Sequence, residues 1–128
     1  FIGSPQMNFI AVSADAHAAL RPAFGGSVAL PGVAAAAGTP LVLGVRPEHL
    51  RLEPVPGALA LPMTVSQVEQ LGGLSLIYGS LPADAGRLTV QAAGQVDTRV
   101  GATLTAFAPP AACHAFEEGE SGRALRSS

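Results

Sequence analysis

The residues best suited to chemistry sit together in the run Arg46-Pro47-Glu48-His49-Leu50-Arg51, directly behind the apolar stretch Leu41-Val42-Leu43-Gly44-Val45. An imidazole beside a carboxylate is the composition of a general base with its orienting group, and the guanidinium at Arg46 could hold an anion next to it. The same residues suit two other roles. Pro47 biases Arg46 toward extended backbone and can open a single helical turn, so the corner could be structural, with Arg46 pairing with an acid across the turn. A partly buried pair of that kind is worth about 1 to 3 kcal/mol. The third role is a contact surface for another subunit, because turns fixed at strand ends often carry contacts. Catalysis, structure and contact all stay open on these residues alone, and the last two are compatible.

Other chemistry is easier to exclude. The seven basic residues are all arginine. Without lysine there is neither a P-loop, whose ammonium must reach the β- and γ-phosphates, nor a Schiff base. His17, His49 and His114 fall on three separate segments, with no spacing that converges two metal ligands on one face. Cys113 and His114 are adjacent, which in a strand sends them to opposite faces, so neither a metal site nor a Cys/His nucleophile pair is expected. Cys113 reads as a small buried hydrophobe, and as the single cysteine it has no internal disulfide partner, which suits a reducing compartment. No cofactor is expected in this chain.

Net charge of -2 leaves no basic face for nucleic acid, and five Phe and one Tyr without Trp offer few stacking platforms. Direct membrane insertion is not expected either, since no apolar run approaches the ~20 residues that a spanning helix needs. With 48% hydrophobic and 12% charged residues, the chain reads as a well-buried domain whose surface is partly covered by a partner.

The elements that must position these residues read as strands. Period-2 alternation and turn residues mark Met7 to Ala14, Ser27 to Leu30, Leu41 to Arg46, a short piece at Leu50 and Leu52, Ala58 to Gln70, Leu74 to Leu81, Arg87 to Gln91, Leu104 to Ala108 and His114 to Glu117. Gly72-Gly73 is the hairpin signal between the fifth and sixth of these. Arg21-Pro22 and Gly25-Gly26 read as breaks, and Ala34 to Ala37 as a flexible loop between Pro31-Gly32 and Gly38-Thr39-Pro40. Many short strands without an amphipathic helix predict an all-β class, a small barrel or sandwich. The segment Glu69-Gln70-Leu71-Gly72-Gly73 reads as a turn with glycine at positive φ, or as a regulatory contact beside it. The chain opens mid-pattern at Phe1, which predicts a fragment, and the polar tail 118–128 is expected to fray.

Four segments, in order, carry a resemblance. Phe1-Ile2-Gly3-Ser4-Pro5-Gln6-Met7-Asn8-Phe9, Leu43-Gly44-Val45-Arg46-Pro47-Glu48-His49-Leu50, Val68-Glu69-Gln70-Leu71-Gly72 and Cys113-His114-Ala115-Phe116 with Gly122 resemble the C-terminal regulatory part of ATP-binding subunits of bacterial ABC importers of the maltose, oligosaccharide and glycerol-3-phosphate type. That resemblance implies an OB-like (TOBE) β-barrel of short, mostly antiparallel strands over 7–117, with 1–9 the junction from an ATPase domain upstream. It further implies a homodimer of the ATP-binding subunit, permease partners, in some members a regulatory protein, and a place in the cytoplasm at the inner membrane. ATP and magnesium would belong to the upstream domain. The residues carried over as regulatory or interface candidates are Arg46, Pro47, Glu48, His49, Glu69, Gly72, His114 and Phe116. A small-ligand, oxyanion-type module is the alternative function, for which no converging set of residues can be nominated. The absence of lysine and the alanine-rich loop depart from the family pattern.

Overall fold

The computed structural model describes residues 6–16, 19–30 and 36–117. Nine strands form in chain order: β1 (Asn8–Ala14), β2 (Ala19–Pro22), β3 (Val28–Ala29), β4 (Pro40–Val45), β5 (Leu59–Gln70), β6 (Leu74–Ser80), β7 (Arg87–Ala93), β8 (Thr103–Ala108) and β9 (His114–Glu117). In β1 the alternation is complete, Asn8, Ile10, Val12 and Ala14 facing in and Phe9, Ala11 and Ser13 facing out. One-sided burial of this kind forces each strand to lay its apolar row against another sheet.

Two antiparallel sheets result, a five-stranded one in the order β3-β2-β1-β4-β9 and a four-stranded one in the order β7-β6-β5-β8. Ile10, Leu20, Leu41 and Leu43 from the first meet Leu59, Leu61, Met63, Ile77 and Leu88 from the second in one core. Burying each such side chain contributes about 1.5 to 3 kcal/mol. The all-β, OB-like expectation holds.

Both edges of the four-stranded sheet are closed by single residues. Phe107 faces Ala60 of β5 on one side, and on the other its N–H and C=O exchange bonds with Arg51, at 2.7 and 2.9 Å. At the opposite edge, the Asn8 side-chain amide donates to the Thr89 carbonyl at 2.9 Å and its oxygen accepts the Thr89 N–H at 2.8 Å. A side-chain amide carries one donor and one acceptor side by side, so it pairs with an edge residue as a neighbouring strand would. Asn8 is only 6% exposed.

Strand β5 carries a bulge at Ser66, where Val65 pairs with Gly79 and Gln67 with Tyr78. The extra residue reverses the parity of the strand. Leu59, Leu61, Met63 and Val65 point inward before it, and Val68 packs on the core after it. Glu69, which an unbroken alternation would aim inside, is thereby placed on the outer face. Gly79, opposite the bulge, accommodates the close approach of β5, since a Cβ there would meet the Thr64 carbonyl and lie 2.6 Å from Met63 Cε.

Two expectations are corrected. Arg21-Pro22 does not break the chain but ends β2, where β3 reaches only as far as Leu20, so the missing proline N–H leaves no gap in the β2–β3 ladder. Asp15 ties the β1–β2 hairpin by accepting from Arg21 Nε at 2.9 Å and from the Ala19 N–H at 3.0 Å. Leu50 and Leu52 do not form a strand. The helical turn on one side and Pro54 and Pro56 on the other leave room for the single Arg51–Phe107 bridge. The junction residues 1–5, most of the alanine-rich loop and the tail 118–128 lie outside the described residues.

Candidate functional site

The Arg-Pro-Glu-His corner folds as its sequence dictates locally. Arg46 is extended, at φ -76° and ψ 144°, and Pro47 opens a single 3-10 turn, Pro47–His49. The His49 N–H donates to the Arg46 carbonyl at 3.0 Å. Pro47 is buried, and the turn packs against β7. Arg46, Glu48 and His49 are all exposed, and none makes a side-chain hydrogen bond or ion pair among the described residues. Among the described residues the expected pair between Arg46 and an acid is therefore not formed. A guanidinium at an exposed strand end gains little from such a pair over hydration. Glu48 and His49 are consecutive in a turn of three residues per repeat, which sends their side chains about 120° apart and leaves no oriented dyad. The corner is flanked by two open hollows of about 380 and 350 Å³, which share Glu48 and Arg51.

The remaining candidates lie on other surfaces. Cys113 is fully buried while His114 is exposed, on opposite faces of the chain. Register puts Phe9, Gly44 and His114 in one cross-strand row on the outer face of the five-stranded sheet, with Ala11, Val42 and Phe116 in the next. Phe9 and Phe116 meet edge to face, their ring centroids 6.1 Å apart at 72°. Gly44 makes the space for this, since a Cβ there would lie 2.8 Å from Phe116 Cε2 and 2.5 Å from Met7 Sδ.

From Phe9 the surface continues into an open groove of about 760 Å³ that reaches Glu69, Leu71, Leu76, Tyr78 and Arg87. Gly72 holds the hairpin beside it at φ 73°, a conformation glycine adopts without strain. The Tyr78 hydroxyl donates to Glu69 Oε1 at 2.9 Å, and Gln67 Nε2 lies 3.3 Å from Oε2. Desolvation, together with the hydrogen bond to Glu69 and its negative charge, pushes the Tyr78 phenol above its ordinary 10.0. Phe9 is 56% exposed and Leu71 52%, two large apolar side chains that line the groove and face solvent.

The structure thus brings Phe116, Glu69 and Gly72 around one band and leaves Arg46, Glu48 and His49 at a separate corner. Sequence reasoning missed Asn8, Tyr78 and Arg87 as site residues, while Leu71 lay inside the segment read as a turn or a contact. Asn8 had a signal, a polar residue in phase with the buried row of its strand. Tyr78 and Arg87 had none, because they act through a bulge and a sheet order that a local window does not contain. Among the described residues no three His, Cys, Asp or Glu side chains gather as metal ligands, and no helix is long and apolar enough to cross a membrane.

Residues 43–116 match the TOBE domain family, and residues 3–50 match the MalK OB fold domain. The sn-glycerol-3-phosphate import ATP-binding protein UgpC of Chromohalobacter salexigens is 40% identical over 119 residues, which cover 91% of this chain and 32% of that protein. UgpC of Paracoccus denitrificans is 36% identical over 117 residues, 91% of this chain and 32% of its own. The maltose/maltodextrin import ATP-binding protein MalK of Salmonella typhi is 35% identical over 130 residues, 92% of this chain and 33% of its own. The chain spans about a third of the length of these curated relatives. Among solved structures, the cytoplasmic molybdate-binding protein ModG superposes with a TM-score of 0.68 at 14% identity, over 89% of this chain and 96% of that one. Identity that low shows a shared fold alone.

Proposed function

The chain belongs to the TOBE domain family, and from that premise we propose that it is a non-catalytic regulatory and dimerisation module of the ATP-binding subunit of an ABC importer for sugars or glycerol-3-phosphate. The observation that carries this is the agreement of the relatives, which match over nine-tenths of this chain and are import ATP-binding proteins for those two kinds of solute. The Phe9–Phe116 band supports the dimerisation half of it. Large apolar side chains left on the rim of a tightly packed barrel gain about 25 cal/mol per Å² when a partner covers them.

In this reading the subunit works as a homodimer beside permease subunits at the cytoplasmic face of the inner membrane, and a regulatory protein can bind the exposed corner at Arg46, Glu48 and His49. ATP and magnesium are handled by the rest of a subunit of the relatives' length. This chain has no lysine to place on a phosphate. Its part is to hold two ATPase domains together while they open and close. The oxyanion-binding alternative draws on the likeness to ModG, which is one of fold alone, and is not favoured.

The test is a full-length subunit carrying this segment, compared with a version cut before Gln6. Loss of subunit pairing and of solute-coupled ATPase control, with ATP affinity retained, is the expected result. Loss of ATP binding on deletion, or saturable micromolar ATP binding by the 128-residue chain itself, would overturn it.

A further inference from the structure

A patch that meets its own copy across a two-fold axis must be complementary to itself, residue i finding j on the partner while j finds i. The groove along Phe9 has that composition. Two exposed apolar side chains line it, Phe9 and Leu71, together with one anion and one cation, Glu69 and Arg87. Arg87 rises from the outer face of β7, exposed and without a hydrogen bond or ion pair among the described residues. Glu69 is held by the Tyr78 hydroxyl and the Gln67 amide, two neutral donors that fix the direction of its carboxylate and leave its charge uncompensated.

These two charges do not reach each other within one chain. Register aligns Glu69 with Leu76 and Leu76 with Gln91, so Arg87 lies two strands across and four residues along from Glu69. Strand spacing and rise put their Cα atoms roughly 16 Å apart. An axis running between them in the interface would bring Glu69 of each copy to Arg87 of the other, twice per dimer.

We propose that a second copy of this chain docks in the groove, with reciprocal Glu69–Arg87 pairs setting the register of the apolar contact. The inference rests on the dimerisation reading above and adds the face and the charge pair that select it. Charge pairs at an apolar contact fix orientation and weaken with added salt.

The test is sedimentation of the 128-residue chain over a concentration series at low and high ionic strength. The wild-type chain should form dimers that weaken as salt rises. Arg87→Glu and Glu69→Arg should each weaken association roughly tenfold, because each creates two like-charge contacts per dimer. The double reversal should return it to within about threefold of wild type, since the reversed pair attracts again. Arg87→Glu breaks no side-chain hydrogen bond or ion pair among the described residues. Should Glu69→Arg fail to fold, Glu69→Gln and Arg87→Gln serve instead, and their combined effect must be less than additive. Single reversals that leave a wild-type dimer intact would assign the groove to some other protein and overturn the proposal, with dimerisation itself still standing. A wild-type chain that stays monomeric throughout would overturn both.

Discussion

Replacing Asn8 by alanine should destabilise the domain out of proportion to the atoms removed. Its amide makes two hydrogen bonds to the backbone of Thr89, at 2.8 and 2.9 Å, and is 6% exposed. Each bond contributes about 1 kcal/mol net, and each backbone group left unpaired out of water costs about 1 to 3 kcal/mol. Thr89 is only partly buried, so water recovers some of this, and the expected loss is about 2 to 3 kcal/mol. For a domain of this size that lowers the melting temperature by about 10 °C. Asn8→Asp is the informative companion. Its carboxylate can still accept the Thr89 N–H but faces the Thr89 carbonyl with no proton to donate. The buried, repelled carboxylate has a folded-state pKa above its unfolded value, so the Asn8→Asp protein should approach wild-type stability at acid pH and lose it as pH rises between those two values. Denaturant unfolding of the three proteins over a pH series checks both points. A loss below about 0.5 kcal/mol for Asn8→Ala, or an Asn8→Asp deficit that does not grow with pH, would refute the view that this amide holds the two sheets together.

Gly79→Ala should cost about 3 kcal/mol, because its Cβ meets the backbone of Thr64, whereas Gly44→Ala meets only the side chains of Met7 and Phe116 and should cost about 1 kcal/mol while disturbing the Phe9–Phe116 contact. Urea midpoints check the order, and equal costs would contradict it. Tyr78 is the single tyrosine, so phenolate absorbance reports it alone; its titration midpoint should lie above 10.0 and fall in Glu69→Gln, which removes the charge. Because the folded pKa is raised, the stability that the Tyr78 hydroxyl contributes should be fully present below pH 10.0 and disappear as pH rises through the folded value, a difference from Tyr78→Phe that pH-dependent unfolding reads directly. Arg46→Ala should change unfolding by less than about 0.5 kcal/mol, since this exposed side chain has no ion pair among the described residues; a loss above 1 kcal/mol would show a partner.

The sequence by itself determined the class and most of the strands. Alternation of apolar and polar residues is a consequence of side chains leaving a strand on alternate faces, and it is legible in any window of six residues. The turn at Gly72 and the helical turn at Pro47 were legible for the same reason, since both depend on backbone limits of the residues themselves. Where one residue contradicted its neighbourhood, as Pro22 did at the end of β2, the local signal failed because the sheet order decides whether a missing N–H matters. The band of candidate contacts was decided by tertiary structure. Asn8 and Thr89 are 81 positions apart, and Phe9 and Phe116 are joined only because β1 and β9 flank the same β4. Glu69 reaches the outer face through one extra residue at Ser66, which reversed the parity that its own strand would have imposed. Pairing across sheets depends on how loops return the chain and on which edges are left open, and that information is spread over the whole sequence.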